Sequence, residues 1–189
     1  LHIPVYFGGG PVIHFILGGA RSGKSRYGIA VAADYVAKGE HCLFVATAQA
    51  FDEEMALRIE RHKMERDIDA LPWQTIECPL DLSECLVTQA KNDRVILVDC
   101  LTLWLTNHLL NGKSDWPKVK AQFLHLLATL PGDIILISNE VGMGIVPADP
   151  LSRRFVDEAG WLHQAIAKLA DEVVLVTAGL PMVLKGRRS

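Results

Sequence analysis

An apolar run, Pro11-Val12-Ile13-His14-Phe15-Ile16-Leu17, stops at Gly18, and Gly18–Ser25 then reads Gly-Gly-Ala-Arg-Ser-Gly-Lys-Ser. This fits G-x-x-x-x-G-K-S, the spacing of a phosphate-binding loop, and commits the chain to a strand, a tight loop and a helix in that order. Glycines let the backbone curl so that several N–H groups face phosphate oxygens, where a side chain would block the approach. Lys24 supplies a point charge for the outer phosphates and acts in catalysis, and the Ser25 hydroxyl can ligate Mg²⁺. The segment Lys24–Lys38 predicts a helix whose amino-terminal dipole favours the same anion. The expected nucleotide-binding set is therefore Gly18, Gly19, Ala20, Arg21, Ser22, Gly23, Lys24 and Ser25.

The rest of the chain repeats the alternation of strand and helix. Apolar, β-branched runs predict buried strands at Val12–Leu17, Cys42–Thr47, Val95–Asp99, Ile134–Ser138 and Glu172–Thr177. Helical patterns fall at Lys24–Lys38, Glu53–Arg66, Leu80–Ala90, Leu101–Leu110, Trp116–Leu130 and Arg153–Ala170. Strands of continuous apolar character between helices predict an α/β fold like that of the phosphate-loop NTPases, a mainly parallel sheet with helices on both faces. Such sheets bind ligands beyond the carboxyl ends of their strands. Prolines and Asn-Gly or Pro-Gly pairs punctuate elements without separating domains, so residues 1–189 read as one catalytic domain, with 1–11 an amino-terminal extension outside the pattern.

Composition excludes several alternatives. Half of the 189 residues are hydrophobic and 22% are charged, which is globular rather than disordered. A formal charge of −3 gives no electrostatic reason to expect nucleic acid as a partner. Cys42, Cys78, Cys85 and Cys100 form no C-x-x-C pair, which predicts a reducing, cytoplasmic setting without disulfides or structural zinc. The longest apolar region, Val95–Leu105, contains Asp99 and is too short to span a bilayer. The amino-terminal stretch lacks the basic leader of a signal peptide.

Polar clusters stand just after the predicted strands. Val95-Ile96-Leu97-Val98 closes on Asp99, the position at which a phosphate-loop enzyme holds Mg²⁺ beside the loop serine; capping of the next helix is the other reading. Thr47 and Gln49 follow the second strand, where they can touch nucleotide or substrate, and Asp52 caps the helix beyond. That helix carries Arg58, Arg61, His62, Lys63 and Arg66, a face that spacing alone leaves as solvated surface. Cationic neighbours keep the His62 imidazole neutral, the form that attacks phosphorus. Ser138-Asn139-Glu140 opens into the glycine-bearing turn Val141–Pro147, either a tight crossing or a substrate-facing loop. Arg153 and Arg154 begin the following helix and can pair with phosphate or with an acid across a subunit boundary.

Together these segments resemble the bifunctional adenosylcobinamide kinase / adenosylcobinamide-phosphate guanylyltransferase family of cobalamin synthesis, from about Ile16 to Gly179. The resemblance rests on Gly18–Ser25, Ala46-Thr47 with Asp52-Glu53-Glu54-Met55, Arg58-Ile59-x-x-His62 and Asp99–Asn107. Asn139-Glu-Val-Gly-Met-Gly-Ile-Val-Pro147 and Arg153-x-Phe-x-Asp157-x-x-Gly160 complete it. It implies two reactions. A nucleoside triphosphate, ATP or GTP, phosphorylates the aminopropanol hydroxyl of the corrinoid adenosylcobinamide. GTP then gives GMP to that phosphate through a guanylyl-histidine, which by the R-I-x-x-H match is His62. It also implies Thr47, Ala48, Gln49, Glu77 and Asp99 as nucleotide contacts and a homotrimer, while the Mg²⁺ ligands Ser25 and Asp99 follow from the phosphate-loop pattern itself. The chain departs from the family pattern after Arg66, where Asp67–Leu71 replaces an Arg-Pro, and at His163, where the family has asparagine and a substrate hydrogen bond is open to change. A kinase-only enzyme and a regulatory GTP switch are the alternatives; the second usually shows an Asn-Lys-x-Asp motif, which this chain lacks.

Overall fold

In the computed structural model, residues 11–49 and 73–186 are described. Seven strands form one sheet in the order β3-β2-β4-β5-β1-β6-β7: β1 (Ile13–Gly18), β2 (His41–Ala46), β3 (Gln74–Glu77), β4 (Arg94–Asp99), β5 (Asp133–Asn139), β6 (Glu172–Thr177) and β7 (Leu180–Lys185). The first six run parallel and β7 returns antiparallel along β6. The helices among the described residues are α1 (Lys24–Ala37), α2 (Leu82–Gln89), α3 (Leu101–Leu110), α4 (Trp116–Leu127) and α5 (Pro150–Leu169). The expected helix Glu53–Arg66 lies outside the described residues, as do Asp52, His62 and residues 1–10 of the extension.

Successive strand residues point to opposite faces, so each apolar run supplies two cores. Leu43, Val45, Ile96, Val98, Ile134 and Leu136 face α2, α3, α4 and α5, where Trp104, Trp116, Phe123, Leu162 and Ile166 are buried. Phe44, Val95, Leu97, Ile135 and Ile137 face the other way, onto Val31, Ala32 and Tyr35 of α1. Gly28 lets α1 lie close. A Cβ there would stand 2.7 Å from Ile137 Cδ1, and the helix continues over β4 and β2. On the other face Trp104 meets Trp116 and Phe123 with ring centroids 5.1 and 4.8 Å apart, and its indole N–H donates to Leu80 O at 2.8 Å. That pairing satisfies the one polar atom of an otherwise apolar side chain.

Two edge strands lay beyond the sequence pattern. β3 is short and mostly exposed. β7 follows a two-residue turn, Ala178-Gly179, whose φ angles of 52° and 77° give the left-handed backbone that matches strand twist in a tight hairpin. The Lys185 ammonium at its end donates to Ala167 O and Lys168 O, each at 3.0 Å, and to Ala170 O, covering the carbonyls that α5 leaves open.

Candidate active site

The carboxyl ends of β1, β2, β3, β4 and β5 share one rim. Gly18 pairs with Asn139 across β1–β5, and Asp99, Ala46 and Glu77 lie in one row across β4, β2 and β3. The loop after β1 is folded back on itself. A Cβ on Gly18 would stand 2.3 Å from Ser22 Oγ and 2.7 Å from Val176 O, so only a bare α-carbon allows the fold-back. Ser22 N donates to Gly19 O at 3.2 Å. Gly179 N of the β6–β7 turn donates to Ser22 O at 2.8 Å, which ties the loop to the hairpin. Gly23, with φ 94°, starts α1 and accepts the Tyr27 N–H at 2.9 Å.

Lys24 is 9% exposed, and its ammonium donates to Gly19 O at 3.1 Å, bridging the two ends of the loop. Ser25 Oγ donates to Asp99 Oδ2 at 2.8 Å. The two residues meet although β5 separates β1 from β4, because α1 leaves the loop across the sheet. Asp99 does not cap α3: the residue at that position is Cys100. Two hard oxygen donors side by side at the mouth of a phosphate loop suit Mg²⁺, which takes few protein ligands and completes its shell with water and phosphate.

Other expected residues occupy the same rim in different ways. Thr47 is fully buried, and its hydroxyl accepts Cys100 N at 2.8 Å while donating to Cys100 O at 2.6 Å. Its side chain therefore joins β2 to the end of β4, and exposure rises through Ala48 to Gln49. Glu77 ends β3 exposed, four strand spacings or about 19 Å from β1. Gly19, Ala20 and Arg21 are exposed, and Ser22 is buried. A cavity of about 320 Å³ lies beside the loop, lined by Gly19–Ser22, Leu175–Ala178, Glu140 and Met143.

The turn after β5 takes its shape from Glu140, whose carboxylate accepts Gly142 N at 2.7 Å and Met143 N at 3.2 Å. Neither Gly142 nor Gly144 has a positive φ, so no left-handed backbone requires glycine there, although a Cβ on Gly142 would stand 3.2 Å from Glu140 Oε1. The turn instead holds Met143, Ile145 and Val146 at 76%, 96% and 76% exposure, which favours the substrate-facing reading. The Arg153 guanidinium donates to Pro147 O at 3.1 Å and to Ala148 O, and so closes this turn.

Three contacts had no local signal in sequence. Asn107 Nδ2 donates to Thr47 O and Pro79 O, both at 2.8 Å, which fastens the ends of β2 and β3 to α3. Asn139 Nδ2 donates to Thr102 Oγ1 at 3.0 Å. His163 Nε2 is 2.8 Å from Ser138 Oγ, and its ring packs on Phe15 at 5.6 Å. Burial pulls the His163 pKa down to about 4, against the opposing charge of Glu140. A polar side chain in an apolar helix, such as Asn107, is the one sequence hint of such a clasp.

Residues 14–184 match the family described as cobinamide kinase / cobinamide phosphate guanyltransferase. The bifunctional adenosylcobalamin biosynthesis protein CobP of Pseudomonas aeruginosa is 51% identical over 172 residues, 90% of this chain and 96% of that protein. The bifunctional adenosylcobalamin biosynthesis protein CobU of Salmonella typhimurium is 38% identical over 184 residues, 90% of this chain and 98% of that protein. The fold is also similar to that of the flagellar accessory protein FlaH of Methanocaldococcus jannaschii. There the TM-score is 0.55 at 14% identity, covering 94% of this chain and 80% of the other.

Proposed function

The chain belongs to the cobinamide kinase / cobinamide phosphate guanyltransferase family, and from that premise we propose how a single rim serves both activities. It is a bifunctional enzyme of adenosylcobalamin biosynthesis, a kinase and a guanylyltransferase. The observation that carries the reading is the pairing of Lys24 with Gly19 O and of Ser25 with Asp99 at the carboxyl edge of the sheet. A triphosphate lying on Gly18–Ser25 draws the ammonium off the Gly19 carbonyl and receives the N–H groups of the loop and of the first turn of α1.

In the kinase reaction the aminopropanol hydroxyl of adenosylcobinamide attacks the γ-phosphorus in line, and the nucleoside diphosphate leaves. ATP or GTP fits this step. Positioning and charge neutralisation do most of the work in such a transfer. Ser25 and Asp99 are the residues that would hold Mg²⁺, which when bound neutralises charge on the phosphate oxygens. The exposed apolar turn Met143–Val146 borders the loop's cavity and offers the acceptor a surface.

In the guanylyltransferase reaction the neutral His62 imidazole attacks the α-phosphorus of GTP. The nitrogen–phosphorus bond forms as pyrophosphate departs. A phosphate oxygen of adenosylcobinamide phosphate then displaces the histidine and gives adenosylcobinamide-GDP. Ala48, Gln49 and Glu77 stand at the ends of β2 and β3 on the same rim and are the contacts proposed for the nucleoside end, with the buried Thr47 holding the strand ends together beneath them. A single catalytic domain, assembled as a homotrimer and working in the cytoplasm, belongs to the same reading. No helix among the described residues is long and apolar enough to cross a membrane.

The test uses GTP labelled at the α-phosphate. Wild type retains acid-labile label on protein, while His62→Ala retains none and still phosphorylates cobinamide. A labelled alanine variant would give the role to another nucleophile, and an unlabelled wild type would leave only the kinase.

A further inference from the structure

Among the described residues, three carboxylates stand at or just after strand ends on this rim: Glu77, Asp99 and Glu140. Glu77 is four strand spacings, about 19 Å, from β1. Asp99 accepts the Ser25 hydroxyl at 2.8 Å and belongs with the metal. Glu140 follows β5, the strand next to β1, and its N–H donates to Gly18 O at 3.0 Å, which pins it to the first residue of the phosphate loop. Among the described residues that line the cavity of about 320 Å³ beside the loop, Glu140 is the one acid. Gly19 forms a wall of the same cavity, and its carbonyl holds the Lys24 ammonium at 3.1 Å. The carboxylate and the place where an outer phosphate displaces that ammonium therefore border one space. Backbone bonds hold the carboxylate still, Gly142 N to Oε1 at 2.7 Å and Met143 N to Oε2 at 3.2 Å. A carboxylate offers about four acceptor sites, so about two remain for a donor entering the cavity.

We propose that Glu140 is a catalytic residue of the kinase step, whose carboxylate accepts the hydrogen of the acceptor hydroxyl in this cavity and aims its oxygen at the γ-phosphorus. The assignment rests on the two-reaction reading above. A cavity of this size admits a short alcohol-bearing arm such as aminopropanol, but not a corrinoid ring system. The ring then stays outside, against the exposed Met143, Ile145 and Val146. Asp99 and Glu140 thus divide the work, one on the metal beside Ser25 and the other on the nucleophile.

In the transfer, the hydroxyl oxygen bonds to the γ-phosphorus as the bond from that phosphorus to the bridging oxygen breaks, and the nucleoside diphosphate takes the electron pair. The hydroxyl proton passes to the Glu140 carboxylate, and from there to solvent once product leaves. Such transfers are loose, with little bonding to the nucleophile in the transition state. Orientation is therefore the larger contribution of the carboxylate, and the proton moves late. Neither guanylyl step needs this group. His62 attacks as a neutral imidazole, and the second acceptor is an ionised phosphate oxygen with no proton to give up.

The experiment compares wild type, Glu140→Gln and Glu140→Ala in two assays, phosphorylation of adenosylcobinamide and GMP transfer onto preformed adenosylcobinamide phosphate. Glutamine keeps the size of the side chain and an amide oxygen able to accept the Gly142 N–H, so the turn stays formed. Glu140→Gln should lower the kinase kcat by about a hundredfold, with KM for adenosylcobinamide within about threefold, and should lower the ratio of kinase to transfer turnover by a similar factor. Glu140→Ala, which also loses the cap of the turn, should in addition raise KM for both corrinoid acceptors. A carboxylate that only shapes the turn would instead leave glutamine near wild type and give alanine a KM defect alone. That pattern, or a loss in Glu140→Gln shared equally by both assays, would overturn the assignment. A wild type that phosphorylates no adenosylcobinamide would refute the kinase reading itself, and the assignment with it.

Discussion

Acidification should weaken the fold through His163. The group is mostly buried, and its pKa falls from an ordinary 6.5 to about 4 because burial disfavours the cation. The folded state thus binds its proton less readily than the unfolded chain does. The stabilisation is fully present above 6.5 and is lost as pH falls from there toward about 4. The whole difference corresponds to roughly 3 kcal/mol, and the part lost between pH ~7 and pH ~5 is about 2 kcal/mol. Urea melts followed by tryptophan fluorescence at those two pH values give the wild-type loss. His163→Asn removes the titrating ring but keeps a side chain able to hydrogen-bond Ser138, and its loss over the same interval should be smaller by about 2 kcal/mol. Equal losses in the two proteins would refute the reasoning, because the acid sensitivity would then come from other groups.

Three further outcomes follow from the rim. Thr47→Val leaves the buried Cys100 N–H without its acceptor and should cost about 1–3 kcal/mol in a denaturant melt, whereas Thr47→Ser should stay near wild type. Gly18→Ala drives a methyl into Ser22 Oγ and the Val176 carbonyl. Both transfers should fall by about tenfold or more in kcat/KM while circular dichroism stays unchanged; full activity would show that the loop tolerates the displacement. Asp99→Asn leaves Ser25 a hydrogen-bond acceptor but removes the charge. The Mg²⁺ concentration needed for half-maximal kinase activity should therefore rise, and an unchanged titration would take Asp99 out of the metal site.

The interior strands were legible because a parallel strand covered on both faces must be apolar throughout. Val12–Leu17 and Cys42–Thr47, as read from sequence, became Ile13–Gly18 and His41–Ala46, each displaced by one residue. The edge strands were not legible. Gln74–Glu77 shows little burial, and Leu180–Lys185 alternates exposed and part-buried residues around Pro181, so neither carries the core signature. Helix α5 begins at Pro150, three residues before Arg153, because Asp149 accepts the Ser152 N–H at 2.8 Å and proline fits the first turn. The phosphate loop could be read directly, since its chemistry lies in consecutive residues. The clasps of Thr47 on Cys100, Asn107 on Pro79 and Ser138 on His163 join residues far apart in the chain and leave no periodicity. His163, expected near substrate, turns its Nε2 to the buried end of β5.

The central claim is that one loop grips the triphosphate for both reactions, with the Lys24 ammonium on the outer phosphates. Calorimetric titration of GTP and of ATP into wild type and Lys24→Ala, in magnesium buffer, tests it most directly. The account predicts binding to wild type and a loss of at least about tenfold, or 1.4 kcal/mol, in the variant for every nucleotide that binds. Wild-type affinity retained by Lys24→Ala, or no heat from wild type with either nucleotide, would contradict it.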